Sequence, residues 1–161
     1  MVEHVVVRRL EHLTGSSHAP SLAFAVEARD RPGPAFKGGS APDEEVWVQL
    51  HGGLFVARAR IKLGWVGEYS RLDEVRRRTA GSAIHDHEDF WAGRPRVGYA
   101  AVASLTKEHW VDPFWAGPRT YAYEWVLLED DKKRASWLDH KDPPRGGAEL
   151  LKKFRGAFPE R

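Results

Sequence analysis

Residues 46–62 (VWVQLHGGLFVARARIK) decide the fold, because they contain the clearest β-hairpin pattern in the chain. Two apolar runs, 46–50 and 54–61, flank His51-Gly52-Gly53, and glycine supplies the positive φ that a tight turn needs. Side chains alternate between the two faces of a strand, so one face of the second run is apolar and the other is cationic. The apolar face carries Phe55, Ala57, Ala59 and Ile61, and the cationic face carries Arg58, Arg60 and Lys62.

Further strands are predicted on both sides of this hairpin. β-Branched or alternating runs at 4–10, 22–28, 98–105 and 121–128 indicate four of them. Residues 30–43 are rich in proline and glycine and predict a long exposed loop without regular structure. Helices are predicted at 70–80, where Ser70 and Asp73 form a capping-box pattern, at 87–92 and at 148–158. These elements predict an α+β fold, a β-rich pseudobarrel with a few short helices.

The length of the chain, 161 residues, fits one domain of ordinary size. We expect a single domain over 1–161. Within it, 1–45 would form N-terminal strands and the Pro/Gly loop, 46–138 the barrel region, and 139–161 a C-terminal tail helix.

Composition narrows the classes of function. The chain has no cysteine, which excludes disulfides and cysteine-ligated metals. No run approaches the roughly 20 apolar residues that span a bilayer, and the apolar run at 5–7 is too short for a signal sequence. We therefore expect a cytoplasmic protein with no membrane partner. The net charge is only +2, but residues 58–79 carry seven basic and three acidic side chains, which suits an anionic partner.

Two similar segments, 90–96 (FWAGRPR) and 114–119 (FWAGPR), each precede a predicted strand. They place Trp91 beside Arg94 and Arg96, and Trp115 beside Arg119. An indole face next to a cation is what stacking on a base while holding a phosphate requires. The alternative is that the indoles close the ends of the barrel, with arginines lying over them in cation–π contact.

Two more surfaces have a binding and a structural interpretation. The row formed by Arg58, Arg60 and Lys62 is able to follow a phosphate backbone, but a solvated outer strand face has the same pattern. Tyr121, Tyr123 and Trp125 share one strand face and resemble a stacking platform, although aromatics with this spacing more often pack in a core.

Catalytic and metal signals are weak. Residues 85–89 (HDHED) contain imidazole and carboxylate ligands, but without the H-E-x-x-H spacing of helical zinc sites. We expect these acidic residues to begin a helix, and we expect no metal and no cofactor. The sequence has no G-x-S-x-G, no Walker A loop and no G-x-G-x-x-G motif.

The order of elements from about residue 46 to 138 resembles the PUA-like superfamily, which includes ASCH and EVE domains. The resemblance is carried by the strand at 46–50 with its Gly-Gly turn, the helix, the Phe-Trp motif, and the segments 96–100 (RVGYA), 110–113 (WVDP) and 121–125 (YAYEW). It implies a small β-pseudobarrel that binds RNA or a modified base, held in some relatives by an aromatic-walled pocket. Some ASCH relatives are amidohydrolases with a lysine, a threonine and a glutamate. The comparable stretch here, 36–40 (FKGGS), lacks a glutamate at that spacing.

The sequence therefore predicts a nucleic-acid-binding module, for RNA or modified DNA, with an aromatic pocket rimmed by arginines. The predicted binding residues are Arg58, Arg60, Trp65, Trp91, Arg94, Arg96, Trp115, Arg119 and Tyr121. One alternative is a small hydrolase acting on a nucleoside-like substrate, for which Lys107, His109 and Glu124 are scattered candidates. Another is a protein–protein adaptor, because exposed tryptophan and arginine also form interface hot spots.

Overall fold

A computed structural model describes residues 2–14, 22–118 and 123–158. Its main feature is a mixed six-stranded sheet that curls into a half-barrel, in the order β2-β5-β4-β3-β1-β6. β1 pairs with β3 in parallel, and the other neighbouring strands are antiparallel. The strands are β1 (Glu3–Arg8), β2 (Phe24–Arg29), β3 (Glu45–Leu50), β4 (Leu54–Tyr69), β5 (Gly98–Trp115) and β6 (Trp125–Leu128). The predicted α+β, β-rich class is confirmed.

Short helices lie between and after the strands. They are α1 (Pro34–Gly38), α2 (Leu72–Arg77), α3 (Ala83–Asp86), α4 (Glu88–Ala92), α5 (Asp131–Leu138) and α6 (Gly147–Ala157), and a 3-10 turn covers Leu10–Leu13. Both faces of the sheet are packed over part of their area. Val6, Val46 and Ile61 lie in one apolar cluster, whereas Val5 and Val7 lie in another that includes Trp137 of α5. Because successive side chains of β1 point to opposite faces of the sheet, this strand contributes to two apolar clusters, one on each face.

The predicted hairpin at 46–62 is present. β3 and β4 are antiparallel neighbours, and Gly52 and Gly53, with φ of 106° and 105°, form the turn between them. Ala57, Ala59 and Ile61 are buried, and Arg58, Arg60 and Lys62 are exposed, as the alternation predicts. The cationic row is therefore on the surface.

Strands β4 and β5 are much longer than their predicted segments. They form one extended antiparallel pair, from Leu54 opposite Trp115 to Tyr69 opposite Gly98. The register shifts at three places along the pair. These bulges interrupt the alternation of apolar and polar side chains along each strand. For that reason the sequence pattern predicts strands that end at residues 61 and 105, before the observed ends of β4 and β5.

Other elements also correct the sequence interpretation. Residues 30–43 contain helix α1, with Pro34 in its first turn, so the prediction of a segment without regular structure is wrong. The helix predicted at 70–80 is limited to Leu72–Arg77, and its N-cap is Arg71 without a side-chain cap. The second FWAG segment begins inside the end of β5 and is followed by β6, whereas the first lies in α4 and the turn after it and is followed by β5. Helices α4 and α6 lie where they were predicted.

A series of hydrogen bonds connects three buried side chains, from Trp125 of β6 through His4 of β1 to Glu44. The Nε1 of Trp125 donates to the Nδ1 of His4 at 3.0 Å, and the Nε2 of His4 lies 3.0 Å from a Glu44 oxygen. Burial lowers the pKa of His4, although Glu44 opposes this effect. The hydrogen bonds satisfy these polar groups inside an apolar core. In the described part of the chain, no helix has the length and apolar character to cross a membrane.

Candidate nucleic-acid interface

Four basic side chains meet at a cleft on the exposed face of the β4–β5 pair. β4 contributes Arg58 and Arg60, and β5 contributes Lys107 and His109. Glu45 of β3 and Ala59 of β4 also line this cavity, which has a volume of about 190 Å³. We call these six residues the cationic cleft.

The register of the two strands brings these residues together. Arg58 lies opposite His109, which places both side chains on the same face. Arg60 lies opposite Thr106, so β5 contains one extra residue between these two pairs. Lys107 lies in this bulge and has a φ of 54°, an unusual conformation for a residue with a Cβ. A bulge changes the direction of side chains, and here Lys107 reaches the same cleft as His109.

The cleft has an excess of positive charge. Three of its side chains carry a permanent positive charge, and Glu45 is its one carboxylate. Glu45 lies 3.3 Å from a guanidinium nitrogen of Arg58, and that guanidinium also lies 5.7 Å from the ring of Trp47. The Nη1 of Arg60 donates to the carbonyl of Asp43 at 3.4 Å. These contacts orient the arginines but leave N–H groups for an anion, and arginine binds phosphate oxygens with two N–H groups at once.

The backbone of Lys107 is strained, with a φ of 54°. This strain predicts that Lys107→Gly and Lys107→Gln have different effects on stability. The left-handed conformation costs a residue with a Cβ about 1–2 kcal/mol, whereas glycine loses about 0.5–1 kcal/mol through its freedom in the unfolded chain. Lys107→Gly is therefore expected to be more stable than Lys107→Gln by about 0.5–1 kcal/mol in urea unfolding. A Lys107→Gly variant that is less stable than Lys107→Gln by about 0.5–1 kcal/mol would show that the bulge carries no strain, because only the cost of glycine in the unfolded chain would then remain.

The predicted aromatic pocket is not formed by Trp91 and Trp115. Trp91 is 3% exposed, and its Nε1 donates to the carbonyl of Ile84 at 3.0 Å. Trp115 is 8% exposed and packs in a different cluster with Leu50 and Phe154. Both indoles are buried core residues, so neither offers a free face to a base, and the prediction that they form an aromatic binding pocket is wrong.

Trp65 is half-buried on β4 and packs against the same apolar cluster as Trp91. The guanidinium of Arg78 lies 3.7 Å from the centre of its ring. This cation–π contact covers the ring with a protein group. Trp65 is on the far half of β4, beyond Lys62 and the bulge that follows Ile61, and it does not line the cationic cleft.

The remaining predicted residues have different environments. The guanidinium of Arg94 is held by Glu124 and lies 3.9 Å from the ring of Phe90, so it is part of the packed structure. Arg96 is exposed, but it does not line the cleft. Arg119 and Tyr121 lie outside the described residues. Of the predicted binding residues, Arg58 and Arg60 are the two that the structure brings together in the cleft.

In the sequence, Lys107 and His109 are scattered enzyme candidates, far from the row formed by Arg58, Arg60 and Lys62. The structure places both beside Arg58 and Arg60, whereas Glu124 lies apart from them with Arg94. The sequence does not reveal that β4 pairs with β5, and it is this pairing that brings together residues about fifty positions apart.

A larger groove, of about 520 Å³, lies between α1, β6 and α5. Lys37 and Tyr123 line it, together with Glu129 and Lys133, which are 3.7 Å apart. The guanidinium of Arg29 lies 4.3 Å from the ring of Tyr123. The lining of this groove has two lysines and one glutamate, so its cationic excess is smaller than that of the β4–β5 cleft, which has three cationic side chains and one glutamate.

Comparisons of the chain with models of known protein families, with curated proteins and with solved structures found no match.

Proposed function

We propose that this protein binds nucleic acid, single-stranded RNA above all, through backbone phosphates held in the cationic cleft. The observation that carries the proposal is the meeting of Arg58, Arg60, Lys107 and His109 on one exposed sheet face. Arg58 and Arg60 are two residues apart on one strand, a separation of about 6.6 Å, and Lys107 and His109 form a second row on the neighbouring strand. Two neighbouring rows of basic side chains suit an extended, negatively charged chain.

This proposal rests on phosphate contacts and not on a base pocket. Phosphate contacts give affinity without sequence information, so we expect weak preference among sequences. Recognition of a modified base in an aromatic pocket has no support from the buried positions of Trp91 and Trp115. The PUA-like resemblance of residues 46–138 stays a proposal from the sequence, with which the curled β-rich sheet is compatible, and the lack of cysteine suits the reducing cytoplasm in which we place this binding.

The test is the salt dependence of binding to a fluorescein-labelled, twelve-nucleotide single-stranded RNA, measured by anisotropy. For single strands, each phosphate contact contributes about 0.7 to the slope of log K against log salt concentration. The double variant Arg58→Gln/Arg60→Gln is expected to lower this slope by about 1.4 and to weaken binding at low salt by at least about tenfold. DNA of the same sequence, single- and double-stranded, shows whether the cleft prefers RNA.

The matched control is Arg155→Gln, which removes an exposed arginine on α6, away from the cleft. Its affinity and salt slope are expected to equal those of the wild type. Unchanged binding in the double variant, or an equal loss in the Arg155→Gln control, would contradict the proposal, since the affinity would then come from the general charge of the surface.

A further inference from the structure

Two histidines and one aspartate from separate segments meet beside α4. His12 comes from the 3-10 turn, and His87 and Asp89 come from the start of α4. One ligand atom from each lies within 4.8 Å of the other two. The Nε2 of His12 is 2.9 Å from Asp89 Oδ2, and the Nδ1 of His87 is 3.7 Å from Asp89 Oδ1. Two imidazoles and a carboxylate are a ligand set for divalent transition metals.

One nitrogen of His87 faces the aspartate, and among the residues that the structure describes it lies beyond hydrogen-bond distance of that carboxylate. Its Nε2 is hydrogen-bonded to the carbonyl of Thr14, an acceptor, so this nitrogen carries a proton. In the neutral ring, Nδ1 then holds a lone pair directed toward the carboxylate at 3.7 Å. Two groups with lone pairs repel each other unless a cation or a proton lies between them. A backbone carbonyl that fixes the tautomer of a histidine is a common arrangement behind metal ligands.

His12 is held firmly in this group. It is 6% exposed, and its ring packs edge-on against Phe90, with the centroids 5.5 Å apart. The ring of His87 lies 5.1 Å from that of His12. Asp89 is more than half exposed, so its carboxylate is able to adjust while the buried His12 remains fixed. Two ligand atoms of a tetrahedral zinc centre lie roughly 3.3–3.5 Å apart, given metal–ligand distances of about 2.0–2.1 Å. The two separations from the imidazole nitrogens to the Asp89 oxygens, 2.9 Å and 3.7 Å, lie on either side of this value, and one ligand atom from each of the three residues lies within 4.8 Å of the other two.

From this geometry we infer that His12, His87 and Asp89 form a binding site for a divalent transition metal, with zinc as the preferred ion. Three protein ligands leave the fourth position of a tetrahedral zinc ion open to water. The sequence did not reveal the site because His12 precedes Asp89 by 77 residues, while residues 85–89 alone lack a workable ligand spacing. The site is separate from the cationic cleft and does not depend on the proposed function.

The test is zinc titration of the full-length, tag-free, chelator-treated protein by calorimetry, with magnesium as a second titrant. One zinc ion is expected to bind per chain, and magnesium is expected not to compete, because it prefers oxygen ligands. His87→Gln and Asp89→Asn are expected to weaken zinc binding by at least about tenfold each. These two residues are preferred to the buried His12, whose replacement threatens the fold. A cobalt titration followed by visible absorption reports the ligand geometry independently.

The control is His85→Gln, which removes a neighbouring histidine whose Nδ1 lies 3.4 Å from an Asp86 oxygen outside the group. Zinc affinity in this variant is expected to equal that of the wild type. The inference is overturned if the wild type shows no saturable zinc binding. It is also overturned if either His87→Gln or Asp89→Asn binds zinc as tightly as the wild type, because the ion would then occupy other histidines.

Discussion

Replacement of Glu27 by glutamine is expected to make the protein more stable near pH 8 by about 3 kcal/mol and to remove a pH dependence of stability. Glu27 lies on β2 and is 1% exposed, and its Oε2 has no hydrogen-bond partner among the described residues. Burial raises the pKa of Glu27 to about 7, although the guanidinium of Arg29 acts in the opposite direction. The ordinary pKa in the unfolded chain is 4.5.

The direction of the effect follows from linkage. A carboxyl group with a raised pKa in the folded state binds protons more tightly there than in the unfolded chain. Its contribution to stability is therefore fully present below about pH 4.5 and is lost as the pH rises through about 7. Each unit of difference in pKa corresponds to about 1.4 kcal/mol, which gives the estimate of about 3 kcal/mol. Glutamine is neutral at every pH and does not suffer this loss.

The measurement is urea unfolding of the wild type and Glu27→Gln at several values between about pH 5 and pH 8. Other titratable groups, including His4 with its lowered pKa, are the same in both proteins, so the difference between the two curves isolates Glu27. Glu68→Gln, which removes an exposed carboxylate on β4, serves as the control. Parallel curves for the wild type and Glu27→Gln would contradict this, because they would mean that Glu27 is ionised in the native protein over the whole range, as it is in the unfolded chain.

The sequence predicts most of the strands because their apolar residues alternate. This holds for β1, β2, β3 and the first half of β4, including the division of residues 57–61 between a buried and an exposed face. It fails where the backbone departs from regular geometry. The bulge at Lys62 and the bulge at Lys107 break the alternation, so the long β4–β5 pair was predicted as two short strands. Helix α1 was missed because Pro34, which is compatible with a first helical turn, was interpreted as a loop residue.

The sequence predicts part of the candidate site, namely the part that lies on one regular strand. Arg58 and Arg60 come from one regular strand, and their exposure follows from the sequence alone. Lys107 and His109 join them through strand pairing and a bulge, neither of which leaves a local pattern. The tryptophans were instead assigned to the site although they lie in the core. A neighbouring arginine in the sequence does not reveal which face of an indole is buried, and Trp91 and Trp115 both pack inward.

Arg94 illustrates how a predicted binding cation instead belongs to the packed structure. Its Nη2 donates to Glu124 Oε2 at 3.1 Å, its Nη1 donates to the other oxygen, and its Nε donates to the carbonyl of Phe90 at 3.0 Å. Arg8 lies nearby, 6% exposed, and donates to the carbonyl of Phe24. Burial lowers the pKa of Arg8 to about 10, while the charge of Glu124 opposes this change. Glu124 therefore stabilises two guanidinium groups inside the protein.

Glu124→Gln is accordingly expected to destabilise the protein by about 3 kcal/mol, because it leaves these two cations without their carboxylate. Glu129→Gln removes the acid of an exposed pair with Lys133 and is expected to cost less than about 1 kcal/mol. Urea unfolding measures both effects, with an unchanged m-value showing that the unfolding transition is comparable.

A double-mutant cycle distinguishes the ion pair from a general loss of packing. Arg94→Met in the Glu124→Gln background is expected to cost less than Arg94→Met alone, with a coupling of about 1–3 kcal/mol, because one partner has already lost its charge. Additive effects would mean that the two side chains contribute independently. Since Arg94 lies outside the cationic cleft, Arg94→Met is also expected to bind RNA with wild-type affinity. A loss of affinity equal to that of Arg58→Gln/Arg60→Gln would place the anion beside Arg94 and move the binding surface away from the β4–β5 face.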